Sequence, residues 1–107
     1  MIIDEGAHNI SRQELGHMGW TILHMMTGSF PEDIPPELVK KWNTFLVLFG
    51  QFYPCKLCSG HFLQMLKDVG PFTGNKKEEL MIYLCSMHNR VNKRLGYPIH
   101  SCEGIKE

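Results

Sequence analysis

Between Pro36 and Phe52, apolar side chains recur at Leu38, Val39, Trp42, Phe45, Leu46, Phe49 and Phe52. These three- and four-residue steps persist for about four turns, a period that a helix gathers together and a strand scatters. Three more runs share that period. Ser11 and Glu14 have the spacing of a capping box and open a first helix, in which Leu15, Met18, Ile22, Met25 and Met26 form an apolar stripe with Trp20, Leu23 and His24 beside it. Gly28 and Pro31 end it. A third run, Cys58, Phe62, Met65, Leu66 and Val69, lies between Pro54 and Gly70-Pro71. A fourth begins at the cap-like Asn75-Lys76-Lys77-Glu78 and stops near Leu95, before Gly96 and Pro98.

No stretch alternates with period two for long enough to make a strand. The expected fold is therefore all-α: a four-helix bundle with short loops and antiparallel neighbours, one domain over residues 11–107 behind a flexible lead-in at 1–10. The seven methionines, Trp42 and the phenylalanines are read as core, and His8 and His100 as surface residues.

Charge and hydropathy narrow the partners. Eleven basic and eleven acidic residues cancel, and no basic run offers a footprint for nucleic acid. No apolar stretch reaches the roughly 18 residues of a membrane span. The first residues resemble neither a secretory signal nor a transit peptide, so a trimmed core or another targeting signal is expected.

Chemistry concentrates where the second run ends and the third begins, at Tyr53-Pro54-Cys55-Lys56-Leu57-Cys58. A CxxC pair can close a disulfide, bind a metal or exchange electrons with thiols. At a helix N-terminus the free N–H groups favour a thiolate, which suits redox exchange and a zinc thiolate alike. The zinc reading would recruit Cys55, Cys58 and His61 with Cys85 or His88. A disulfide-bonded helical interaction module without cofactor is the other alternative. Four cysteines allow three pairings, and a bridge from Cys85 to Cys102 would close a seventeen-residue loop. The chain-entropy relation gives such a bridge about 3 kcal/mol.

On the fourth helix, Leu80, Leu84, Met87, Val91 and Leu95 fall within an arc of about 80° at 100° per residue, opposite Glu79, Ser86, Arg90 and Lys93. Cys85, His88, Asn89 and Asn92 make a polar stripe bordering that apolar face. Such a stripe can line a pocket for a polar heteroaromatic ligand.

With these pieces in place, the chain resembles the Erv/ALR family of FAD-dependent sulfhydryl oxidases. Leu15-Gly16-His17-Met18-Gly19-Trp20 with Leu23-His24 is similar to the family's LGRxxW...LH, with His17 standing where Arg is usual. Tyr53 to Cys58 matches YPCxxC, and His88 to Pro98 matches HNxVNxxLGxP. The resemblance implies a helical bundle with a short fifth helix or turn at the C-terminus and FAD at the bundle mouth. It implies flavin contacts from Gly16, Trp20, His24, Tyr53, Cys58, His61, Cys85, His88, Asn89, Val91, Asn92, Lys93 and Leu95, and a structural disulfide from Cys85 to Cys102. Catalysis would fall to Cys55, the outer sulfur facing substrate, and Cys58, the inner sulfur facing the flavin. Electrons from protein thiols or dithiols would pass through that pair to FAD, then to O2, giving hydrogen peroxide, or to cytochrome c. No metal is called for. The resemblance further implies a homodimer through the first two helices and residence in the mitochondrial intermembrane space, with the endoplasmic reticulum or a viral factory or virion as alternatives.

Overall fold

The computed structural model describes residues 2–5 and 8–102. Four helices carry the architecture: α1 (Arg12–Gly28), α2 (Pro36–Phe52), α3 (Lys56–Val69) and α4 (Lys77–Leu95). Their ends obey the local signals. Ser11 Oγ accepts from Glu14 N at 3.1 Å while the Glu14 carboxylate accepts from Ser11 N, the reciprocal cap read from the sequence. Pro36 takes the first position of α2, and Gly70 and Gly96 end α3 and α4. At the start of α4 the cap differs in detail, because it is Glu79 that reaches back to accept from Asn75 N and Lys76 N.

Ahead of α1 the chain departs from the expected loose lead-in. Residues Ile2–Glu5 (β1) and His8–Ser11 (β2) pair antiparallel, with Ile2 opposite Ser11 and Glu5 opposite His8. The segment is too short to show sustained alternation, and only the antiparallel pairing of β1 with β2 reveals it. No fifth helix follows α4 among the described residues; 103–107 lie outside them.

The core is Leu23, Ile34, Trp42, Leu46, Met65, Phe72, Leu80, Leu84 and Met87. Helix α1 packs on α4 and α2 on α3. Gly50 is buried where α2 meets α3: a Cβ there would stand 2.8 Å from both Phe62 and Leu63 side-chain carbons. The glycine permits that close approach, and Ser59 Oγ adds a hydrogen bond to its carbonyl.

At one end of the bundle the loops knit together. Ile34 N donates to Asn75 O, Lys77 N to Glu32 O, and the buried Lys77 ammonium to Gly28 O at 3.2 Å. The start of α1, the α2–α3 junction and the end of α4 therefore gather at the opposite end.

One face was assigned differently by periodicity. The stripe of Met18, Ile22 and Met25 is exposed, and α1 buries Gly19, Leu23 and Thr27 instead. Helix α1 carries two apolar arcs, and only packing against α4 decides which one enters the core. Met18 and Ile22 of that arc, with Phe45, Leu48, Phe49 and Phe52 of α2, line an apolar groove of about 500 Å³. Among the described residues no helix is long and apolar enough to cross a membrane.

Candidate active site

The α2–α3 junction is held by Tyr53. Its hydroxyl donates to Leu15 O at 2.6 Å, and its ring covers Gly19, so the first turns of α1 are fastened to the segment leading into the cysteines. Burial and the nearby Cys58 and Cys55 charges push the Tyr53 phenol up to about 12, which keeps it a donor.

Cys55 is the N-cap of α3, and its sulfur accepts from Cys58 N at 3.3 Å. Both cysteines of the pair are free thiols. Their exposure differs from the expected order: Cys55 is 3% exposed, whereas Cys58 is half-buried. As the N-cap, Cys55 lays its sulfur over the first turn of α3, against the Cys58 amide. The two thiols also differ in ionisation. Burial raises the Cys55 thiol, but hydrogen bonds from the Cys58 thiol and the Cys58 and Leu57 amides, with the Arg12 charge, outweigh it and leave its pKa below the ordinary value. Burial, then donation to Cys55, pushes Cys58 up to about 11. The hydrogen bonds run towards the Cys55 sulfur, so they favour charge on Cys55 over Cys58.

One turn beyond Cys58 on α3, Phe62 presents its edge to Trp20 at 6.1 Å. Trp20 lies parallel to His88, with centroids 4.4 Å apart, and His88 Nδ1 stands 3.1 Å from His24 Nε2. Helices α1, α3 and α4 thus share a half-buried wall of aromatic and imidazole rings. Burial, then the neighbouring histidines His24, His100 and His17, brings the His88 pKa down to about 4. Burial and His100 lower His24 as well. Both rings are neutral near pH 7 and offer one donor and one acceptor each.

The remaining predicted contacts are placed unevenly. Gly16, Tyr53 and Val91 are half-buried and Asn92 is buried, whereas Lys93 and Leu95 are exposed. His61 is exposed and lines a groove between α3 and α4 with Gln64, Asp68, Arg90 and Arg94. Asn89 is engaged by the tail: its amide donates to His100 O at 2.6 Å and its oxygen accepts from His100 N at 2.9 Å. The tail runs back along α4 from Tyr97, whose N–H donates to Asn92 O, to Cys102. There a disulfide joins Cys85 to Cys102, with Cα atoms 5.8 Å apart. Cys85 is thereby spent as a zinc ligand, and among the described residues no three His, Cys, Asp or Glu side chains converge as a metal site.

Two participants escaped the sequence reading. The sequence reading places Phe62 in the core and gives Arg12 no role, yet Phe62 meets Trp20 and Arg12 lowers both thiols through space. No local signal links Arg12 to Cys55.

The family model described as Erv1 / Alr family matches residues 17–107. The chain belongs to the Erv1/Alr family. A mitochondrial FAD-linked sulfhydryl oxidase erv1 of Schizosaccharomyces pombe is 36% identical over 91 residues, covering 84% of this chain and 50% of that protein. An FAD-linked sulfhydryl oxidase ERV1 of Arabidopsis thaliana is 29% identical over 102 residues, covering 95% of this chain and 53% of the relative. The chain thus spans about half the length of the curated relatives it matches. Among solved structures, the yeast Erv1 core superposes with a TM-score of 0.82 at 29% identity, over 92% of this chain and 83% of that one. The FAD-binding domain of Erv1 from Saccharomyces cerevisiae gives 0.80 at 31% identity, over 87% and 88%. This Erv1/Alr chain therefore shares the helical core of its relatives.

Proposed function

We propose that this chain is the core of an FAD-linked thiol oxidase that makes disulfides in protein substrates. The observation that carries the reading is the unequal thiol pair at the α3 N-terminus, with Phe62 one turn beyond Cys58 meeting the wall of Trp20, His24 and His88. The residues present fit FAD. Flat rings from Trp20 and His88, neutral imidazoles on His24 and His88, and the cations Lys93 and Arg94 beyond them suit a planar heteroaromatic joined to a diphosphate.

In the oxidised pair, a substrate thiolate attacks Cys55 Sγ, breaking the Cys55–Cys58 bond and sending its electron pair to Cys58. A second substrate thiolate attacks the sulfur bound to Cys55, releases the substrate as a disulfide and leaves Cys55 as thiolate, while Cys58 takes up one proton from solvent. The first turn of α3 receives that charge through Cys58 N–H. When bound, FAD supplies the two-electron acceptance that returns the pair to a disulfide and the onward delivery to O2, as hydrogen peroxide, or to cytochrome c.

The test is direct. Purified protein reconstituted with FAD should be yellow and consume oxygen with dithiothreitol, and Cys58→Ser should abolish turnover with flavin still bound. Normal turnover in that variant refutes the relay. Failure to bind FAD at all refutes the cofactor. Comparing oxygen uptake with cytochrome c reduction assigns the acceptor.

Exposure of Met18, Ile22, Met25, Leu48 and Phe52 around the α1–α2 groove supports a homodimer through those helices. Phe52→Asp should then yield monomers by light scattering, and an unchanged dimer would exclude this face. Residence in mitochondria is supported by relatives named as mitochondrial in two yeasts, and within that organelle the intermembrane space is our proposal.

A further inference from the structure

Beyond Leu95 the chain turns back along α4. Gly96 takes a φ of 80°, which reverses the backbone, and Tyr97 N then donates to Asn92 O at 2.8 Å. Tyr97, Pro98, Ile99 and His100 are all exposed, so burial of apolar side chains does little to hold this return in place. Polar bonds hold it instead.

Asn89 supplies three of them. Its amide nitrogen donates to His100 O at 2.6 Å and to Cys102 Sγ at 3.3 Å, and its oxygen accepts from His100 N at 2.9 Å. Both hydrogens of that nitrogen are thereby used. A side chain that meets the N–H and the C=O of one residue fixes the orientation of that residue as well as its distance, and Cys102 follows His100 by two positions. Cys85 stands one turn before Asn89 on the same side of α4, and its sulfur lies 4.0 Å from the same amide nitrogen. One side chain thus touches the tail and both sulfurs of the disulfide.

We infer that Asn89 is a positioning residue for disulfide formation: by docking the tail through His100 it presents Cys102 to Cys85 and raises the effective concentration of one thiol at the other. This role differs from the flavin contact that the family resemblance implies for Asn89. The oxidant is a small-molecule disulfide. Cys102 is half-buried and Cys85 buried, so the Cys102 thiolate attacks that disulfide first, bonding one sulfur and expelling the other as a thiolate. Cys85 then loses its proton to solvent and bonds Cys102 Sγ, and the second small thiolate leaves with the electron pair of the bond that breaks. Without docking, the second step would wait on free motion of a connection with a sequence separation of 17.

The test measures that effective concentration. The full chain, with FAD present, is equilibrated without oxygen in mixtures of reduced and oxidised glutathione and quenched in acid, and each cysteine is read by alkylation and peptide mass. Asn89→Ala should lower the effective concentration of the Cys85–Cys102 pair by about ten- to thirtyfold, the loss expected of two ordinary hydrogen bonds. Asn89→Asp keeps an acceptor for His100 N but loses both donors, and should lower it by about three- to tenfold. In the same samples the Cys55–Cys58 pair should stay within about twofold of the parent, a readout that general loosening of the bundle would move. An unchanged Cys85–Cys102 equilibrium in both variants overturns the inference, and so does an equal fall at both pairs. Loss of flavin absorbance with the Cys85–Cys102 pair unmoved also overturns it, in favour of the flavin contact. Should Asn89→Ala lose its helical circular dichroism, Asn89→Asp decides.

Discussion

Gly19 and Tyr53 form a contact in which a single methyl group should disturb both fold and site. A Cβ built at Gly19 would lie 2.6 Å from Tyr53 Oη, and 3.1 and 3.2 Å from two ring carbons. The ring cannot yield without losing its 2.6 Å hydrogen bond to Leu15 O. Gly19→Ala gains about 1 kcal/mol in helix propensity. Against that stand about 1 kcal/mol for the hydrogen bond and roughly 1–3 kcal/mol for overpacking. The net expectation is a loss of about 1–3 kcal/mol, or on the order of 5–20 °C in Tm for a domain of this size. Tyr53→Phe removes the oxygen responsible for the closest approach. Because the shortest remaining distance is 3.1 Å, Gly19→Ala should cost about 1–2 kcal/mol less in that background. Urea unfolding followed by circular dichroism at 222 nm on the four proteins of the cycle measures the coupling. Gly19→Ala as stable as the parent, or equally costly with and without the hydroxyl, would refute this account of the junction.

Other expectations follow from the same structure. Replacing Cys102 with serine opens a disulfide across a sequence separation of 17 and should lower stability by about 3 kcal/mol, read in urea without reductant. Leu84→Ala removes a side chain with 0% exposure from the core and should cost about 2–5 kcal/mol with little change in m-value. His88 binds its proton less readily folded, near pH 4, than its ordinary value of 6.5. Between those values the unfolded chain takes up the proton and the folded one does not, so stability is full above about pH 6.5 and declines as pH falls towards 4. His88→Asn should flatten that part of a Tm-against-pH curve, and an unaltered slope would locate the acid sensitivity elsewhere.

The sequence by itself determined the four helices and their ends, because helical period, the Ser11–Glu14 cap, Pro36 and Gly96 act within a few residues of where they stand. It also showed Cys55 and Cys58 at a helix start, and the YPCxxC and HNxVNxxLG motifs carried the family resemblance. Other features depended on residues far apart in the chain. Packing on α4 selected Gly19, Leu23 and Thr27 over the Met18 stripe, pairing with β1 ordered β2, and the returning tail took both polar ends of Asn89. The charge order within the CxxC belongs to the same class. A helix N-terminus alone lowers either thiol, whereas the hydrogen bonds that the Cys55 sulfur accepts from Cys58 lower the one and raise the other. Local pattern sets where a helix begins, but only tertiary contact sets which side of it meets another charge or ring.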